Sequence, residues 1–266
     1  MLDINAVDIG FSRKAELYDA YCANHPVIQW ARNQIREQVM GCIPLGASIL
    51  ELNAGTGSDA VEFVKCGYRV HATDIASGMI AAIDLKIQKL SGDRKLTVQK
   101  ISFTDLEHVT GGPFDLVFSN FGGLNCIPDL RDSTRSFSKI LKPGGYVVWV
   151  IMPPFCPWEL AQLARGKFRA ATRRLHADGV LANVEGAQVR TWYHSAKSVR
   201  NSFPPEFELI HKQAISLFCP PSYMDKFFAR LPRLTQFLLR LDERLGQGAP
   251  FYNWGDFVVY TFRHER

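Results

Sequence analysis

The chemistry this chain can offer is concentrated in a glycine turn flanked by acids. Ile49-Leu50-Glu51-Leu52-Asn53-Ala54-Gly55-Thr56-Gly57 reads as a short buried strand that breaks at two glycines. Ser58 follows, and Asp59-Ala60-Val61-Glu62-Phe63-Val64 opens a helix with an apolar stripe. Such a junction lets a ligand lie close against backbone N–H groups. Asp74 falls 17 residues after Gly57 at the end of the next apolar run, where a carboxylate can accept both hydroxyls of a ribose. Phe103 after a third strand and Asn120 after a fourth reach the same edge.

These residues need a sheet to bring them together. Two helical pieces are expected over 11–40, broken at Asn24-His25-Pro26; the first groups Arg13, Tyr18 and Asp19. Strands are expected at 49–52, 68–73, 96–101, 114–119 and 146–152, with helices from 58, from 76 to 90 and over about 129–141. Pro143-Gly144-Gly145 should stop the last helix and release the fifth strand. Five alternations predict a parallel sheet covered by helices on both sides, with ligands beyond the carboxyl ends of the strands. The second half changes character. A helix near 160–177, a short strand over 188–194, a helix over 196–203, a sheet strand at about 207–218 and a helical pair ending at Leu245 precede a closing strand from Asp256 to Phe262. The expected organisation is therefore residues 1–152 as ligand-binding core, 153–255 as an aromatic-rich insertion, and 256–266 as closing strand.

With 266 residues, 47% apolar and 21% charged, the composition is that of a globular protein. A net charge of +5 falls short of a nucleic-acid-binding stripe. The densest basic spots, Arg173-Arg174 and the arginines between Arg230 and Arg244, read as solvated helix faces. Six dispersed cysteines form no C-x-x-C pair, which argues against a metal site or disulfide framework and for reduced thiols in a cytoplasm. Neither a signal sequence at Met1-Leu2-Asp3-Ile4-Asn5 nor a bilayer-length apolar run is present.

Together these motifs resemble class I S-adenosylmethionine-dependent methyltransferases of the small-molecule type. Glu51-x-x-x-Gly55-x-Gly57 resembles the family's first motif, Asp74-Ile75-Ala76-Ser77-Gly78-Met79 its second-strand acidic motif, and Leu141-Lys142-Pro143-Gly144-Gly145 the turn before strand five. The resemblance implies a Rossmann-like, doubly wound, seven-stranded sheet, mostly parallel with an antiparallel last strand, and a lid inserted after strand five. It implies S-adenosylmethionine as cofactor, with Asn53, Ala54, Gly55, Thr56 and Gly57 near its methionyl part and Glu51 ordering the loop. Asp74 would take the ribose, Ile75, Met79, Ser102 and Phe103 the adenine side, Asn120 and Phe121 the sulfonium, and Tyr18 the carboxylate end. Two positions depart from the pattern. Ser102 stands where many members carry aspartate, and Asn53 where glycine or cysteine is usual; Asn53 either donates to the cofactor carboxylate or braces the turn.

Methyl transfer from a sulfonium depends chiefly on proximity and orientation, and a base is needed only if the acceptor loses a proton. His25, His176, His194, Glu159 and Tyr193 are candidates, with Tyr193 and His194 singled out as catalytic because they end a strand facing the insertion. Phe155, Trp158, Trp192, Tyr193, Phe218, Tyr223, Phe251, Tyr252 and Trp254 could line an apolar acceptor pocket or serve as ordinary core. The expected partner is a small hydrophobic or aromatic acceptor, without nucleic acid, metal or a membrane span, in a monomer or homodimer. Gly55-Thr56-Gly57-Ser58-Asp59-Ala60 also satisfies G-x-G-x-x-A, so a nicotinamide-dinucleotide oxidoreductase is the rival enzyme. A catalytically silent, methyltransferase-like binding protein is the rival of another class.

Overall fold

A computed structural model describes residues 3–90 and 95–265, apart from the side chains of Glu16 and Leu17. Met1-Leu2, on which part of the signal-sequence reading rests, lies outside the described residues. Seven strands form one sheet: β1 (Ser48–Leu52), β2 (Arg69–Asp74), β3 (Leu96–Lys100), β4 (Phe114–Ser119), β5 (Leu141–Ile151), and, later in the chain, Phe207–Ile215 and Phe257–His264. A two-stranded hairpin intervenes, so these last two are β8 and β9, after β6 (Val180–Val184) and β7 (Ala187–Thr191). Spatial order is β3-β2-β1-β4-β5-β9-β8. β9 runs antiparallel to both its neighbours, and the remaining pairs are parallel. Strand order reverses between β1 and β4, which opens a crevice at their carboxyl ends. The fold expected from the resemblance is present.

Alternation along each strand fills both faces of the sheet. Val147, Trp149 and Ile151 of β5 join Leu50, Leu52, Phe137, Phe203 and Phe262 on one side. Val148 and Val150 join Ile49, Phe63, Phe118 and Ile35 on the other. Helices α1 (Ile4–Asn24) and α2 (Pro26–Cys42) meet at His25, whose Nδ1 accepts from the Ile28 amide to cap α2. Helices α3 (Ser58–Lys65) and α4 (Ser77–Lys89) follow β1 and β2.

Four expectations need correction. The helix expected over 129–141 is two single turns, Arg131–Thr134 and Phe137–Ile140. Pro143-Gly144-Gly145 does not precede β5 but bulges within it: Leu141 pairs with Phe114 and Tyr146 with Leu116, and Gly144 has φ +80°. The helix expected at 160–177 is instead four short turns between Pro157 and Leu175. The strand expected over 188–194 ends at Thr191 and pairs with β6, which the sequence reading missed. Its turn, Glu185-Gly186, has φ +47° and +87°, the two-residue geometry that matches strand twist.

Helix α1 is held down as a roof. A Cβ on Gly10 would lie 2.9 Å from the Val184 carbonyl oxygen, and one on Gly78 2.8 Å from Ser12 Cα. Glycines at these points let α1 touch both the hairpin and the start of α4. Asp8 on α1 accepts from the Ser77 amide at 2.8 Å and pairs with Lys100, and the Gly78 amide donates to Ser12 Oγ. The first amides of α4 are thus capped from another helix. Burial tends to raise the Asp8 carboxyl, but the Ser77 amide, Ser12 and Lys100 outweigh it and hold it at about 2. Its stabilising effect is therefore present above its ordinary 3.8 and lost as pH falls through about 2. Asp8→Ala should cost about 1 kcal/mol and speed tryptic cleavage at Arg13 and Lys14. Unchanged cleavage would show that Asp8 does not hold the roof.

Candidate active site

Beneath α1 lies a cavity of about 380 Å³ over the carboxyl ends of β1, β2 and β4. Its floor is Glu51, Asn53, Ala54 and Gly55; Asp74, Ile75, Met79 and Phe103 form one wall, and Asn120 to Gly123 the middle. Val7, Phe11 and Tyr18 roof it, and Val184, Val189 and Thr191 of the hairpin close a side. Val27, Ile28, Met152, Ile215, Ser216, Ser222, Asp256 and Phe257 surround the other end.

The glycine turn is built by polar pairing across the crevice. Asn53 has φ +44°; its side-chain amide donates to the Asn120 carbonyl oxygen at 3.1 Å, and its Oδ1 accepts from Ser119 Oγ at 2.6 Å. Asn53 therefore braces β1 against β4. The Gly55 amide donates to Asp74 Oδ2 and the Ala76 amide to Oδ1, each at 2.9 Å. A Cβ on Gly55, at φ +58°, would meet nothing within 4 Å, so open space lies beside that residue. Burial pushes the Asp74 carboxyl up to about 6 despite its amide partners.

Asp59 organises the second layer. Arg32 Nη1 donates to its Oδ2, and Arg36 Nε to its Oδ1 at 2.7 Å. Burial alone would raise Asp59; the two guanidiniums overcome it and hold the carboxyl below its ordinary range. Asn120 Nδ2 donates to the same Oδ2 at 2.9 Å, while Asn120 Oδ1 accepts from the Phe121 amide at 2.8 Å. Arg32 lies 5.0 Å from the Phe121 ring centroid and 6.0 Å from that of Tyr18. Phe121 itself has φ +45°, a strained conformation for a bulky residue, at the cavity. Two buried side-chain polar atoms of the cavity-lining residues lack a hydrogen-bond partner among the described residues: Arg32 Nε and Glu51 Oε2. Burial first, and the negative charge of Asp59 next, hold the Glu51 carboxyl well above its usual range.

Among the residues selected from sequence, Tyr18, Glu51, Asn53, Ala54, Gly55, Asp74, Ile75, Met79, Phe103, Asn120 and Phe121 converge on the cavity. Thr56, Gly57 and Ser102 are not among its lining residues. Thr56 and Ser58 donate to Asp19 of α1, which also pairs with Lys86; Ser102 Oγ bonds Thr104 within its own loop. Tyr193 and His194 do not line the cavity either: Tyr193 faces Arg174, and His194 Nε2 bonds the Ile127 carbonyl oxygen at 3.1 Å. His25 caps α2, His176 is exposed, and Glu159 is bound by Arg173 and Arg174. The sequence reading overlooked Arg32 and Arg36, whose i,i+4 spacing on α2 was the available signal. It also overlooked Asp256, which Arg174 holds at 2.6 Å.

Comparison with known proteins agrees with this geometry. The family described as "Methyltransferase domain" matches residues 49–145. A demethylmenaquinone methyltransferase from Clavibacter sepedonicus is 32% identical over 103 residues, 39% of this chain and 40% of that protein. A malonyl-[acyl-carrier protein] O-methyltransferase from Yersinia pestis is 29% identical over 168 residues, 60% of this chain and 55% of that protein. The matched stretches thus span about half or less of these relatives' lengths. In fold, the chain is similar to the Burkholderia thailandensis 1,6-didemethyltoxoflavin-N1-methyltransferase, solved with its acceptor and S-adenosylhomocysteine, at TM-score 0.56 and 14% identity over 100% of this chain and 91% of that one. Residues 49–145 thus match a methyltransferase domain, and the strand order is that of the Rossmann-like methyltransferase fold.

Arg32→Met would leave buried Asp59 with Arg36 as its one remaining ion-pair partner among the described residues. The unfolding free energy should fall by about 3 kcal/mol, read from urea denaturation. A loss below about 0.5 kcal/mol, the range of surface substitutions, would contradict the central role given to this pair.

Proposed function

We propose that this chain binds S-adenosylmethionine in the cavity and transfers its methyl group to a small, apolar acceptor. The carrying observation is two buried, unpartnered atoms on cavity-lining residues, Arg32 Nε of a guanidinium and Glu51 Oε2 of a carboxyl. An amino-acid head group brings a carboxylate for the first and an ammonium for the second. Burial holds the Glu51 carboxyl above its usual range, and an arriving cation would draw it back toward the ionised form. Asp74 would take the ribose hydroxyls, and the apolar walls of Ile75, Met79 and Phe103 the adenine. A pyrophosphate fits less well, because the Gly55 amide is already given to Asp74. Bound S-adenosylmethionine supplies an activated methyl group; the chain's task is to hold, align and keep water out.

The organisation that supports this reading assigns residues 1–152 to the cofactor and the 153–255 insertion, with the start of β9, to the acceptor. Ile215 and Phe257 of that second part, completed by Val27, Ile28 and Met152 from the first, favour an apolar body. Asp256, buried in the wall with Oδ1 fixed by Arg174, is the group we assign to an acceptor proton, in place of Tyr193 or His194. The two named relatives act on different acceptors, so the acceptor class is inferred from the cavity alone. The six cysteines are free thiols, which fits a cytoplasmic setting.

Calorimetric titration tests the reading. S-adenosylmethionine should bind saturably and NAD should not, and Asp74→Ala should weaken binding at least about tenfold, the loss of one buried charged hydrogen-bonding partner. Saturable NAD binding without S-adenosylmethionine binding would overturn it. The pH dependence has a defined sign. Because burial raises Asp74, its own stabilising contribution is full below its ordinary 3.8 and lost as pH rises through about 6. Ligand affinity runs the other way: protonation removes the acceptor, so Kd should rise as pH falls through about 6, and Asp74→Asn should flatten the profile. Asp256→Asn should lower the methyl-transfer rate by about 100-fold or more with cofactor affinity unchanged; an unaltered rate would remove Asp256 from proton transfer.

A further inference from the structure

The arginines between Arg230 and Arg244 read from sequence as a solvated face, and the reaction proposed above makes no use of them. Arg233, Arg240 and Arg244 sit on an amphipathic helix, Pro232–Leu245, with three distinct faces, and Arg230 ends the helix before it. One face is anchored. Thr235 and Asp242 are buried, and Leu238 and Leu239 pack with Phe228 and Cys219 against Val27 of α2. Asp242 accepts the amides of Leu217, Phe218 and Cys219, and Trp30 Nε1 donates to Glu243 at 2.7 Å. The helix is therefore fixed to the body of the protein.

The second face is apolar and open. Leu234, Phe237, Leu241 and Leu245 recur at intervals of three and four, so they form one stripe along the helix. Leu234, Phe237 and Leu245 are 41%, 56% and 40% exposed, and Leu241 is half-buried. The third face is cationic. Arg233, Arg240 and Arg244, at intervals of seven and four, make a row along the edge of that stripe beside Phe237. All three are exposed, and none has an ion-pair partner among the described residues. The charge bias extends beyond the helix. Residues 153–255 hold fourteen Lys and Arg against eight Asp and Glu, while the rest of the chain holds seventeen against eighteen.

We infer that this helix is a docking surface for an anionic lipid bilayer, lying in the interface with its leucines and Phe237 among the acyl chains and its arginine row on the headgroups. An apolar stripe bordered by unpaired cations is what in-plane membrane binding requires, and each half is weak alone. A second copy of the chain fits less well, since it would set one positively charged insertion against another. No described helix is long and apolar enough to cross a membrane, so the contact is peripheral. The inference does not depend on the reaction proposed above.

Co-sedimentation of the full chain with phosphatidylcholine vesicles, with and without phosphatidylglycerol, tests it. The protein should partition onto the anionic vesicles at least about tenfold more strongly than onto neutral ones, and less so at high salt. Neutralising the row with Arg233→Gln, Arg240→Gln and Arg244→Gln together should lower partitioning by about 100-fold, and Phe237→Ser should lower it independently. Because these side chains are exposed, far-UV circular dichroism and the melting temperature should stay at wild-type values; a variant that fails this check is replaced by Leu234→Ser, on the same stripe. Equal partitioning onto both vesicle types, no partitioning at all, or wild-type partitioning by the triple variant would overturn the inference. So would a concentration-dependent dimer that Phe237→Ser abolishes in the absence of vesicle binding, which would assign the stripe to a second copy.

Discussion

Much of the site depends on one buried charge, the Asp59 carboxylate beneath the glycine turn. A carboxylate in this position is costly unless paired, and Arg32 and Arg36 of α2 pair it. The same contacts set several other groups. Asn120 is oriented by Asp59 and in turn fixes the Phe121 amide, while the Arg32 guanidinium is placed between Tyr18 and Phe121. One ion cluster thus joins α2, the start of α3 and the end of β4, the three elements on which the cavity's central groups stand.

Around that centre, each wall of the cavity is fixed by a different kind of force. Hydrophobic packing on both faces of the sheet sets the strand ends, and the bracing side chain of Asn53 sets the gap between β1 and β4. The roof is held by acids instead. Asp8 caps α4 and Asp19 joins the α3 turn to Lys86, so both ends of α1 are tied down by short polar contacts. Polar contacts of this kind are individually modest, so the roof is held by several small terms rather than by one large one.

Local patterns in the sequence reported local structure well. Phe114 to Ser119 is apolar and bounded by turn residues, and β4 occupies those six residues. The glycine turn and Asp74 likewise carry their geometry in neighbouring residues. Where tertiary contacts decide, the sequence alone was a poorer guide. Pro143-Gly144-Gly145 has the composition of a helix stop, yet pairing of Leu141 with Phe114 draws it into β5 as a bulge. Apolar spacing over 160–177 suggested one helix, but Gly166 in a left-handed conformation and the Glu159 pairs with Arg173 and Arg174 divide it into turns. Candidate bases chosen by type went the same way: His194 is spent on a backbone carbonyl, while Asp256, one residue before β9, reaches the cavity. Which of two acids or histidines faces a cavity depends on contacts distant in sequence, such as Arg174 to Asp256.

A crystal structure grown with S-adenosylhomocysteine is the decisive measurement of whether this cavity receives an amino-acid-bearing nucleoside, as proposed. The ligand should lie beneath α1, with its carboxylate on Arg32 Nε, its ammonium toward Glu51, its ribose on Asp74 and its adenine beside Phe103. Ligand bound elsewhere on the chain, or ligand in the cavity with Arg32 Nε and Glu51 still unpartnered, would contradict it.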